Sequence, residues 1–159
     1  MKQESIMTYS RRLSEASRTE VIVIMYDIIL EDIADAKSAF TAGDNEGAAA
    51  SLGHGLKFVK ELTAVLDMSF DMSKDLARLY IYVSGCLSRA KVSREAAELA
   101  SAAEVITGLR SAFAEVAKKD TEGAVMENTQ KVYAGLTYGR GALNETTVSP
   151  DERNRGFLA

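Results

Sequence analysis

Ten consecutive residues, Val21 to Leu30, are apolar with the single interruption of Asp27. Just before them Ser17 stands three residues ahead of Glu20. That spacing lets the serine hydroxyl accept the Glu20 N–H while the Glu20 carboxylate reaches back to the Ser17 N–H, so the run is a capped helix beginning at Arg18. At a period of 3.6 residues, Ile22, Met25, Tyr26, Ile29, Ile33, Ala36 and Phe40 share one face and carry it to a turn at Gly43. Val21, Ile24 and Ile28 form a second stripe roughly a third of a turn away, and Val23 with Leu30 occupies the other flank. A helix apolar nearly all round must be covered on more than one side, and a helical bundle covers only one. Something else has to cover the outside.

The only proline is Pro150, so no ring bars helix between Met1 and Ser149. The expected fold class is all-α: an antiparallel four-helix bundle over residues 17–119 with an N-terminal arm (1–16), a possible short fifth helix (120–143) and a polar tail (144–159). Ile6, Met7, Tyr9 and Leu13 space the arm so that it can lie, extended or partly helical, along an apolar groove. After Gly43, Asp44 suits the N-cap of a second helix from about Asn45 to Leu66. Its inward residues are Leu52, Leu56, Val59, Leu62 and Leu66, with Phe58 and Val65 beside them. Gly47, Gly53 and Gly55 weaken that helix by about 1 kcal/mol each against alanine, and mark either a close backbone approach or a soft helix end. Asp71 or Ser73 caps a third helix that turns Leu76, Leu79, Tyr80, Val83, Leu87 and Ala90 inward and Ile81, Tyr82 and Gly85 outward. Ser93, with Glu95 behind it, opens a fourth whose stripe is Leu99, Ala103, Ile106, Leu109, Phe113 and Val116. Val125, Val132 and Leu136 mark the fifth, and Gly135, Gly139 and Gly141 end it.

Composition removes several function classes. With 19 basic against 23 acidic side chains, a net charge of −4, and basic residues in scattered pairs, there is no stripe to track phosphates, which argues against nucleic acid. No apolar run approaches the ~20 residues of a bilayer span, and the N-terminus lacks the apolar core of a signal peptide, so no membrane insertion is expected. Cys86 is the one cysteine, which fits a reducing compartment, the cytoplasm, and its neighbours Val83 and Leu87 suggest a small buried hydrophobe. The single histidine, His54, has Ser51 three residues before it and not a glutamate, so a di-metal bundle site is not supported, and no cofactor is expected. Glu31 and Asp32 point to different sides of their helix and read as solvated surface.

His54-Gly55-Leu56-Lys57 is similar to the phosphorylated stretch of histidine phosphotransfer domains, also four-helix bundles. Here Phe58 follows the lysine where those domains have glycine, and it shares a helical edge with His54, so an ordinary surface histidine is the preferred reading. Outward aromatic and aliphatic residues carry more weight: Tyr9, Val21, Ile24, Ile28, Ile81 and Tyr82, together with Met25 of the core face, are the candidate partner-binding set, with self-association through the same faces, a possible homodimer, as the competing use.

These residues also occur in a recognisable order. Tyr9, then Ala16-Ser17-Arg18-Thr19-Glu20, then the apolar run to Tyr26-Asp27, then Leu76-Ala77-Arg78-Leu79-Tyr80-Ile81-Tyr82-Val83, then Leu109-Arg110-Ser111-Ala112-Phe113 resemble the FliS family of flagellin-specific export chaperones over about residues 7–119. Arg18 replaces the family's proline, Ile28 its glycine, and Phe113 a frequent tryptophan. The resemblance implies a non-enzymatic bundle that binds the C-terminal segment of flagellin in the cytoplasm, keeps it unpolymerised, and delivers it to the flagellar export gate. The second apolar stripe would then face the client, or the N-terminal arm in its absence.

Overall fold

A computed structural model of the chain describes residues 3–121 and 123–125, all within one compact unit spanning 1–127. Among the described residues five helices follow in order: α1 (Gln3–Glu15), α2 (Arg18–Thr41), α3 (Asn45–Ala64), α4 (Asp71–Ser93) and α5 (Leu99–Ala117). Helices α2 to α5 form the antiparallel bundle, in which α2 packs on α3 and α5, and α4 packs on the same two from the opposite corner. The fifth helix expected over 120–143, with Val132 and Leu136, and the polar tail lie outside the described residues apart from the start of the former.

The helix starts follow local chemistry. At α2 both halves of the capping box form, Glu20 N–H to Ser17 Oγ at 3.3 Å and Ser17 N–H to the Glu20 carboxylate at 2.8 Å. Gly43 takes a left-handed φ of 77° to reverse the chain, and the Asp44 side chain then accepts the Gly47 N–H at 2.8 Å to open α3. Two expected starts differ. Asp71 is the first helical residue of α4 rather than its cap, a place where a carboxylate complements the helix dipole, and Phe70 precedes it with no side-chain cap. Ser93 is the last residue of α4, which ends at left-handed Arg94, and α5 begins only at Leu99. An ion pair across that corner, with Arg89 Nε 2.9 Å from Glu98 Oε1, joins the two helices.

Tyr26, Ile29, Ile33 and Ala36 of α2 meet Leu52, Val59 and Leu62 of α3, Tyr80, Val83 and Leu87 of α4, and Leu99 and Ile106 of α5 in the core. Cys86 is buried there too. Two inward expectations fail at the bundle's margins, Leu79 and Val116 being exposed, as is Val65 beside the α3 face, while Ala102 takes an inner place on α5. Phe113 packs edge-on to Tyr26, ring centroids 5.6 Å apart.

The Tyr26 and Tyr80 hydroxyls bond each other diagonally across the bundle, both side chains being sealed from solvent, and burial raises both pKa values. Tyr80→Phe strands the Tyr26 hydroxyl in the core and should cost about 1–3 kcal/mol in urea denaturation. Removing both hydroxyls should cost clearly less than the sum of the two single changes, and additive losses would show that the two groups do not depend on each other.

Candidate functional site: the outer face of α2

Helix α2 is covered on three sides. Helices α3 and α5 flank its core face, and α1 lies on the outside against Ala16, Ile24 and Ile28, with Tyr9 and Leu13 of α1, Val21, and Phe58 of α3 closing the cluster. The expected arm is thus a helix of 13 residues, folded back over the second stripe. Its cover is lopsided. Beneath it Ile24 and Ile28 are only 2% and 4% exposed, yet α1 leaves its own Ile6 and Met7 at 51% and 71%.

Polar contacts hold α1 at its edges. Arg12 Nη1 donates to Asp27 Oδ2 at 2.8 Å, and Ser5 Oγ donates to Glu31 Oε1 at 2.5 Å. The Tyr9 hydroxyl also bonds Glu31; burial, with that carboxylate beside it, pushes the phenol up to about 12. Asp27, the one polar residue of the apolar run, is shared: its other oxygen accepts from Arg110 of α5, whose pKa the carboxylate raises. Ion pairs at this exposure contribute about 0.2–1 kcal/mol each, so these bonds fix the position of α1 more than they secure it. Past α5 the chain returns to the same corner, where Val125 N–H bonds the Ala16 carbonyl at 3.0 Å and Thr19 donates to Asp120 at 2.7 Å.

Next to α1 the surface opens into a groove of about 520 Å³ between α1 and α3, with Ile28 and Asp32 of α2 as its floor and His54 and Phe58 of α3 as its wall. Asp32 is not solvated surface. It is 1% exposed beneath α3 and lies close to Gly55: a Cβ on that glycine would meet the Asp32 Cβ in van der Waals contact at 3.4 Å. Of the two readings of the α3 glycines, Gly55 fits close approach. Asp32 Oδ2 bonds His54 Nδ1 at 2.7 Å, while among the described residues nothing bonds Oδ1. Burial raises the Asp32 pKa and the His54 bond opposes the rise. Nor is His54 an ordinary surface histidine, being half-buried, tethered to that carboxylate, and packed edge-on against Phe58 with centroids 5.0 Å apart.

Of the candidate partner-binding residues, the structure brings Tyr9, Val21, Ile24 and Ile28 into one cluster. Met25 instead packs on the main core. Ile81 and Tyr82 are exposed on α4, which does not join that cluster. Sequence reasoning missed Asp32, although a signal was there: Ile24, Ile28 and Asp32 are spaced by four and lie on one stripe. Among the described residues no three His, Cys, Asp or Glu side chains gather as metal ligands, and no helix is long and apolar enough to cross a membrane.

The sequence model for flagellar protein FliS matches residues 3–120, which takes in every helix described above. The chain belongs to the FliS family. Members of this family are export chaperones of the flagellum, so the FliS bundle here is that of a chaperone. The comparison with curated proteins returned no match.

Proposed function

We propose that this FliS-family chain is a cytoplasmic chaperone for the C-terminal segment of flagellin, holding it unpolymerised and handing it to the flagellar export gate of the type III secretion apparatus. The observation that carries this reading is the outer face of α2. It is as apolar as a core, yet only a loosely packed helix with two large apolar side chains left in water covers it. A helix-in-groove client with more apolar surface than α1 would displace it and take its place. Val21, Ile24 and Ile28 form the exchange site, Tyr9 is the α1 contact that the client replaces there, Met25 supports it from the core side, and Ile81 with Tyr82 offers a separate apolar patch on α4 for a further contact, including a second copy of the chain.

The reading needs no catalytic step and no cofactor. Immobilised chaperone should retain a peptide of the flagellin C-terminal segment, and isothermal titration should give one peptide per chain with a negative heat-capacity change, the mark of buried apolar surface. Failure to retain the peptide would remove flagellin as the client.

A further inference from the structure

The exchange site is not wholly apolar. Ile24 and Ile28 are followed one turn later on the same stripe by Asp32, whose carboxylate is closed to solvent under α1 and α3. One oxygen is held by His54. The other is buried with no hydrogen-bond partner among the described residues, although α1 brings Tyr9 and Ser10 into the same groove. A stranded acceptor of this kind penalises whichever occupant leaves it unmet and rewards one that meets it. α1 leaves it unmet.

We infer that Asp32 is a specificity residue for the client: the preferred occupant of the groove is an amphipathic helix carrying, one turn from its main apolar anchors, a side chain that donates a hydrogen bond to the free Asp32 oxygen. His54 then serves as a positioning residue, since its bond fixes one carboxylate oxygen and leaves the other without a partner in a residue that lines the groove. The arrangement makes exchange directional. An apolar helix without the donor gains over α1 only through its extra apolar surface, whereas one with it also satisfies a group that the described residues of α1 leave unmet. The inference rests on the outer face of α2 being the client site.

The test is a double-mutant cycle on the full chain, with the flagellin C-terminal peptide as probe. Its donor side chains are replaced singly by apolar ones of similar size (Gln→Met, Lys→Met, Asn→Leu, Ser→Ala), and affinities are measured for wild type, Asp32→Ala and Asp32→Asn. One replacement should weaken binding to wild type by about 10–100-fold, the range for a hydrogen bond to a charged group, and binding to Asp32→Ala by less than about twofold. Asp32→Asn keeps the shape, its one oxygen accepting from His54 while its NH2 group takes the place of the free oxygen, so it tests the same coupling if Asp32→Ala fails to fold. With no acceptor left at that place, the penalty of the replacement should fall to about twofold or less, as for Asp32→Ala. Normal binding of the unmodified peptide with equal penalties across all three proteins would overturn the donor inference and leave the chaperone reading intact. No binding of the unmodified peptide to wild type would overturn both.

Discussion

Ile28→Asp is expected to weaken capture of the flagellin C-terminal segment by at least about a hundredfold. Ile28 sits at the centre of the outer cluster, 4% exposed, with Ile24 and Phe58 around it. Losing the aliphatic side chain forfeits about 1.5–3 kcal/mol of burial, and an unpaired carboxylate facing an apolar client adds a desolvation cost of similar or greater size. Together they exceed the ~2.7 kcal/mol that a hundredfold change in affinity requires. The bundle should survive, because α2 is held to α3, α4 and α5 by Tyr26, Ile29, Ile33 and Ala36 on its other face. Far-ultraviolet circular dichroism should therefore fall by no more than the contribution of α1, which loses the surface it docks on. A variant that binds normally would place the client elsewhere; one that unfolds would show that the outer cluster supports the bundle itself.

Deletion of residues 1–15 should act in the opposite direction. Ordering each residue of α1 costs ~1–2 kcal/mol, and the apolar burial and edge bonds that offset this are modest, because Ile6 and Met7 stay in water and Arg12 remains 42% exposed. A balance of about 1.4 kcal/mol in favour of docking leaves roughly one chain in ten open, and apparent affinity is scaled by that fraction. Removing the competitor should then raise client affinity about tenfold in isothermal titration. The bared stripe should also bind more of a dye sensitive to apolar surface and promote self-association. Unchanged affinity and dye binding would mean that α1 does not compete with the client.

Much of this was written in local patterns. The capping box, the Gly43 reversal and the four-residue spacing of the apolar stripes act within one or two turns, so α2 and α3 could be read from them directly. The surplus of apolar residues on α2 also implied an outer cover before any cover was visible. What the sequence hid was set at longer range. Ser93 has a capping residue's chemistry, yet α4 runs through it, since tertiary packing of Leu87 and Ala90 carries the helix one turn further. Asp32 reads as surface by residue type, and only the packing of α3, with Gly55 and His54 against it, and of α1 nearby buries it. Asp27 reads as an interruption, and its value lies in Arg12 and Arg110, 15 and 83 residues away, which meet there only once the bundle has formed.

The central claim is exchange of α1 for a client on the outer face of α2, and amide hydrogen exchange of the chaperone with and without the flagellin C-terminal peptide addresses it most directly. The account predicts that bound peptide strips protection from the amides of residues 3–15 while those of α2 around Ile24 and Ile28, and of α3 to α5, keep or gain theirs. Peptide that binds while residues 3–15 stay as protected as before would contradict it, since the client would then occupy some surface other than the one α1 covers.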